Sequence, residues 1–179
     1  KISVKNLITD NDGNFKSLSS AYIKTSKKGK INNDFEILYG KDIKIKGKSY
    51  DGRNLIRIIN NAGNNLNLKN INKKIEIKFN NIFSNLSKNI NNFVLLGEIK
   101  KGEFIKISSK GNYDQDNHID ILLKKNPKNK TKYIEIYTDY PETLLDNFGF
   151  FKGINGGKLL YSSVFDDKKS YSNLSLENF

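Results

Sequence analysis

The stretch Lys73-Lys74-Ile75-Glu76-Ile77-Lys78-Phe79-Asn80 decides the fold. Ile75, Ile77 and Phe79 occupy every second position with Glu76 and Lys78 between them. An extended chain therefore turns the apolar side chains one way and the charged ones the other. A helix would scatter the same residues around its circumference. The stretch reads as a strand with one apolar and one wet face, the pattern of antiparallel sheets. The period returns on both sides of it. Ile43 and Ile45 alternate with lysines, Ile105 and Ile107 flank Lys106, Ile119 and Ile121 flank Asp120, and Ile134 and Ile136 flank Glu135.

Turn signals separate these runs: Asp10-Asn-Asp-Gly-Asn14, Lys27-Lys-Gly-Lys30, Lys100-Lys-Gly-Glu103 and Asn126-Pro-Lys-Asn129. Strands are predicted near 2 to 9, 14 to 25, 30 to 38, 42 to 47, 73 to 80, 91 to 99, 103 to 112, 116 to 125, 131 to 138, 157 to 166 and 171 to 178. Two segments depart from the period. Leu55, Ile56 and Ile59 fall at helical spacing, with Ser49 or Asp51 as a cap, which predicts a short helix over 52 to 60. Asp139 as N-cap, Pro141, Glu142, the apolar Leu144, Leu145 and Phe148, and a closing Gly149 predict a second over 139 to 148. The expected fold class is thus mainly β: a curved antiparallel meander, either an open groove or sandwich-like, with two short helices. The whole of 1–179 reads as a single β-rich segment, and the Asn-rich stretch 60 to 72 is its one candidate internal boundary.

The chain has 179 residues, enough for one ordinary domain and a real core. It holds no Cys, which excludes a disulfide framework, a thiolate metal site and a cysteine nucleophile. No apolar run approaches the roughly 18 residues of a membrane-crossing helix. It holds no Met either, so Lys1 is expected to lie inside a longer protein. Lys and Arg number 31 against 19 Asp and Glu, a net charge of +12. Such a charge suits polyphosphates or anionic lipid. Yet Arg53 and Arg57 are the only arginines, and abundant Lys, Asn and Ile are what drift toward AT-rich codons produces. Base readers favour Arg for its bidentate fork, so no nucleic-acid partner is expected.

Chemistry-bearing residues are few. His118 is the only histidine and reads as a solvated strand residue opposite in parity to Ile119 and Ile121. Asp114, Asp116 and Asp120, and likewise Asp10, Asp12 and Asn14, have the opening rhythm of a calcium loop but lack its distal glutamate. Lys124, Lys125, Lys128, Lys130 and Lys132 with Tyr133 form a basic hairpin tip. Gly153-Ile-Asn-Gly-Gly157-Lys158 precedes a strand rather than a helix, so it reads as a turn and not a phosphate loop. No enzyme activity, metal or cofactor is expected from this inventory.

The segment Tyr133–Phe179 resembles the C-terminal signature of AsmA-like proteins, the superfamily that includes YhdP and TamB. The features that carry the resemblance are a strand ending in Asp139, the paired Leu144 and Leu145, a Gly156-Gly157-Lys158-Leu159 turn opening the next strand, and the ending Glu177-Asn178-Phe179. Upstream, Gly47 and Asp51 are similar to the same family's Gly-x-x-x-Asp before a short helix. The resemblance spans about residue 40 to the end. It implies a non-catalytic segment of an envelope protein, anchored in the inner membrane by a helix outside this sequence and extending into the periplasm of a Gram-negative bacterium. It further implies phospholipid transport between the membranes and a part in outer-membrane integrity. Ile75, Ile77, Phe79, Ile105, Ile107, Ile119, Ile121, Ile134 and Ile136 are then the candidates to face phospholipid acyl chains, with the remainder of the same polypeptide as the other partner. An adhesin or phage-tail β-sandwich shares the alternation and remains the alternative.

Overall fold

The computed structural model describes residues 1–54, 70–129, 131–145 and 153–179. Alternation becomes strand throughout: β1 (Ile2–Lys5), β2 (Ile8–Thr9), β3 (Phe15–Ser17), β4 (Ser20–Lys27), β5 (Lys30–Tyr39), β6 (Ile43–Asp51), β7 (Lys73–Phe83), β8 (Ile90–Lys100), β9 (Glu103–Asn112), β10 (His118–Lys125), β11 (Lys132–Thr138), β12 (Lys158–Phe165) and β13 (Ser170–Glu177). Strand accounts for 63% of the described residues. All but β2 and β3, which form a small hairpin of their own, belong to one 11-stranded sheet in the order β1-β4-β5-β6-β7-β8-β9-β10-β11-β12-β13.

The turn chemistry explains why the sequence order is so nearly the spatial order. Lys28 and Gly29 both have positive φ, as do Lys101 and Gly102. They form the two-residue loops between the register pairs Lys27↔Lys30 and Lys100↔Glu103. Two consecutive residues in the left-handed region give the turn whose twist matches its flanking strands, and Gly takes the second place without a Cβ penalty. At β12–β13 the Asp166 carboxylate accepts the backbone N–H groups of Lys168 and Lys169, at 2.8 and 3.0 Å, and fixes that turn.

One junction departs from the expected meander. β6 and β7 are parallel, pairing Ile43 with Ile75 and Ile45 with Ile77, so the sheet is mixed. A parallel pair cannot be joined by a tight hairpin, and 55 to 69 of the connection between β6 and β7 lie outside the described residues. The expectation of two short helices is overstated. Of the span 52 to 60, Gly52–Asn54 form a lone 3-10 turn, η1, and 55 to 60 lie outside the described residues. Of 139 to 148, only Glu142–Leu145 is helical, a single turn denoted α1, and 146 to 148 likewise lie outside. A helix this short cannot recover its nucleation cost alone and depends on what it packs against.

The sheet is open, with β1 and β13 as unpaired edges. Substantial contacts run between hydrogen-bonded neighbours, apart from η1 against β7, so among the described residues no second layer is stacked on the first. Eleven strands set about 4.8 Å apart span roughly 50 Å. The accessible surface is 12249 Å², against roughly 8,800 Å² for a compact protein of this mass. Register shifts between β4 and β5, β5 and β6, and β8 and β9 insert bulges, which add twist and bend the strands locally.

Candidate functional site

Residues paired in register share a face of the sheet, so the ladders define its surface. One row runs through all eleven strands: Val4, Ala21, Ile37, Ile45, Ile77, Leu95, Ser109, Ile121, Ile136, Tyr161 and Leu174. A second row on the same face continues from Ile43 through Ile75, Gly97, Ile107, Leu123 and Ile134. Phe79 stands opposite Gly47, and Ile119 opposite Gly111 and Thr138. The opposite face carries Lys44, Glu76, Leu96, Ser108, Leu122 and Glu135 in one ladder.

The two faces differ in exposure. On the apolar face Ile43, Ile75, Phe79 and Ile119 are buried, while Ile45, Ile77, Ile107, Ile121, Ile134 and Ile136 are half-buried. Ile43, Ile75 and Ile99 form the nucleus of the core, with Ile37, Tyr39, Leu95 and Phe104 packed around it. Leu96, on the other face, is 56% exposed. Glycine makes this packing possible: a Cβ at Gly97 would lie 2.9 Å from Ile75 Cγ2 and 3.2 Å from Phe104.

Of the residues singled out from sequence, Ile105 alone stands outside the ladders, because Ile99 pairs with Phe104 and Glu98 with Lys106 at a bulge. Phe104 thus fills the place beside Ile99. Strict alternation could not reveal that substitution. Alternation does not mark Leu95, Leu123 and Leu159 either, since their neighbours Leu96, Leu122 and Leu160 are apolar too and hide the period.

One end of the apolar face is plugged. Pro141, Thr143 and Leu145 of the turn after β11 are buried beside the fully buried Thr138 and Leu159 and the buried Tyr113. Thr138 organises the turn: its hydroxyl donates to the His118 carbonyl at 2.8 Å and accepts the Tyr140 N–H at 3.0 Å. Asp139 does not cap α1 as its spacing predicts. Its carboxylate instead accepts the His118 backbone N–H at 2.6 Å and faces His118 Nδ1 at 2.5 Å, clasping β10 to the end of β11. Glu142 accepts the Gly156 N–H at 2.5 Å. Gly157 has φ +92°, and a Cβ there would lie 2.6 Å from the Glu177 carbonyl, so the turn into β12 requires glycine twice over. Leu145 is buried in this plug and Leu144 is half-buried. Burial, with Asp139 nearby, pushes the Tyr113 phenol well above its usual range.

The opposite end carries charges of both signs. On the apolar face, Lys73 stands in register with Ile99, and Lys125 directly faces Lys132 one step beyond Leu123 and Ile134. Lys73 Nζ lies 4.8 Å from the Tyr39 ring centroid and donates to the Gly40 carbonyl. Glu103 is 2.7 Å from Lys125 and 3.8 Å from Lys132, and the bond from Lys125 holds its carboxyl below the usual range. At the plugged end Asp114, Asp116, Asp139 and Glu142 lie with Lys88, whose Nζ is 2.9 Å from the Asp114 carboxylate and 4.0 Å from the Tyr140 ring centroid.

Other candidates resolve into turn chemistry. Asp10 accepts the backbone N–H groups of Asp12 and Asn14, and Asp114 those of Asp116 and Asn117. Both are Asx turns that consume the oxygens a cation would need. Among the described residues no group of His, Asp or Glu is placed to hold a metal, and no helix is long and apolar enough to cross a membrane. Asp51, marked by its spacing after Gly47, is held by Arg53 at 2.7 and 2.6 Å and by Asn32 at 3.0 Å, and so ties η1 to β5 and β6. Comparison with family models, with curated proteins and with solved structures finds no match to this chain.

Proposed function

We propose that this chain is a lipid-holding, non-catalytic segment of an AsmA-like envelope protein, and that phospholipid acyl chains lie along its apolar face. One observation carries the reading: a row in register across all eleven strands is apolar on every strand but β9, where it holds Ser109, and among the described residues no second layer covers it. Each aliphatic side chain withdrawn from water contributes about 1.5–3 kcal/mol, so such a row gains as much from acyl chains as from protein. Ile75, Ile77, Phe79, Ile107, Ile119, Ile121, Ile134 and Ile136 are the lipid-facing residues in this reading, with Ile105 at its margin. The segment acts in phospholipid transport between inner and outer membrane, and thereby in outer-membrane integrity. It sits on the periplasmic side and is anchored through a part of the protein outside this sequence.

The test is photocrosslinking from Ile77 and Ile121 in the full-length protein in cells, with mass spectrometry of the adducts. Phospholipid adducts at both positions are expected. Crosslinks confined to residues of the same chain would reduce the face to ordinary core packing and return the sandwich-type binding module to first place.

A further inference from the structure

The two edges of the sheet are guarded unequally. β1 is four residues long, ends in Lys5 and gives way at once to Asn6 in the left-handed region. Short edge strands that carry lysine resist pairing with other chains. β13 is eight residues long, pairs with β12 without a register shift, and holds neither Pro nor Lys. All its residues but Leu176 are exposed, Tyr171 by 67% and Leu174 by 44%. The Asp166 N–H donates to the Lys169 carbonyl at 3.0 Å and sets the alternation of this ladder. Counting from that hydrogen-bonded pair, Tyr171, Asn173, Ser175 and Glu177 bond back to β12, whereas Ser170, Ser172, Leu174 and Leu176 turn their N–H and C=O groups outward. Such an outward row is a template for one more strand.

The strand that fits this template is β13 itself. Its charges lie at opposite ends, Lys169 just before it and Glu177 at its close, and among the described residues neither has an ion-pair partner within its own chain. Set a second copy antiparallel, with Asn173 opposite its own counterpart, and Lys169 of each copy faces Glu177 of the other. Ser172 then exchanges both backbone bonds with the other copy's Leu174, and Ser170 with its Leu176, so every outward group is used. We infer that β13 binds a second copy of this chain through this pairing, and that the two sheets join across a two-fold axis into one. Paired residues share a face, so the apolar faces of the two copies meet on the same side. The dimer consumes both copies of β13 and leaves only the guarded β1 edges, so assembly stops at two. The inference is independent of the lipid-holding reading, because pairing through an edge leaves the apolar face uncovered.

The test is sedimentation velocity of the full chain in about 0.15 M salt over a concentration series. A monomer–dimer equilibrium is expected. K169E and E177K each set like charges opposite one another, twice over by symmetry, and weaken dimerisation about tenfold or more. The K169E/E177K exchange restores it to within about threefold of wild type, which a merely misfolded variant could not do. The chain has no Cys, so a single introduced thiol reports the register. In N173C the two thiols meet at a non-hydrogen-bonded pair with Cα atoms about 4.5 Å apart, and mild oxidation links the copies. In S175C they stand roughly 14 Å apart, and it does not. A wild type that stays monomeric to about 0.5 mM would overturn the proposal and leave β13 to a strand of another protein. Polymers beyond the dimer would overturn the two-fold closure. Dimers indifferent to the charge exchange, or linked through S175C and not N173C, would place the contact elsewhere and overturn it too.

Discussion

Gly47 shows how closely this sheet is packed at a single residue. It pairs with Phe35 on one side and Phe79 on the other, and a Cβ there would overlap Phe35 and lie 2.5 Å from the Asp34 carbonyl. The rings of Phe35, Phe79 and Tyr50 meet over this gap, with centroids 5.4 to 5.8 Å apart. Gly47→Ala is therefore expected to cost about 1–3 kcal/mol through overpacking, read as a lowered denaturant midpoint with unchanged slope. Asp51, four residues on, has an electrostatic role. Hydrogen bonds from Arg53, and then from Asn32, hold its carboxyl well below the usual range. A carboxyl that binds its proton less tightly folded than unfolded adds stability above its unfolded pKa of about 4, and that stability is lost as pH falls below it. The Asp51→Asn variant is accordingly less stable than wild type at pH 7, and the gap narrows progressively as pH falls below about 4 in parallel acid denaturation curves. A gap of constant size would assign the loss to packing. The sequence marks Gly47 only through the family resemblance and Asp51 through that and as a candidate helix cap, and it does not reveal their partners Phe35, Phe79 and Asn32, because cross-strand neighbours depend on register.

At the scale of elements, legibility followed the periodicity. β7, β9, β10 and β11 alternate apolar and charged residues, and each is found within a few residues of its expected bounds. Local turn chemistry was equally readable where two Lys-Gly loops set two-residue hairpins. The parallel pairing of β6 with β7 was invisible, since a run of alternating residues carries no direction and only the crossover length hints at it. The segment after β11 misled for another reason. Asp139, Pro141 and Glu142 have helix-start spacing, but Asp139 is taken by His118 and Glu142 by Gly156, so the cap residues serve tertiary contacts. The candidate apolar face followed from shared parity, whereas its plug required knowing which hairpins lie at the same end.

A molecule made of one broad layer distributes its stability unlike a two-layer domain. Each strand leans on its two neighbours, so the interior gains from both sides and the edges from one, as in a linear array of repeats. Burial follows this rule: the nucleus at Ile43, Ile75 and Ile99 lies in β6, β7 and β8, while nearly every residue of β13 is exposed. β1 is short, and Ile2 remains 68% exposed although it belongs to the apolar face. Native-state hydrogen exchange of the chain diluted to its monomer is therefore expected to give the slowest amides in β6 to β9, with β1 and β13 exchanging at least about tenfold faster through local opening. Uniform protection from β1 to β13 would mean that the chain opens as one cooperative unit and that the nearest-neighbour picture is wrong. Phospholipid supplies the second half of the prediction. A ligand that covers the row from Val4 to Leu174 bridges strands that do not otherwise touch, and should slow exchange across β7 to β12 together instead of at a single hairpin. Protection confined to one hairpin would place any bound lipid in a local pocket and deny the continuous face its part in holding it.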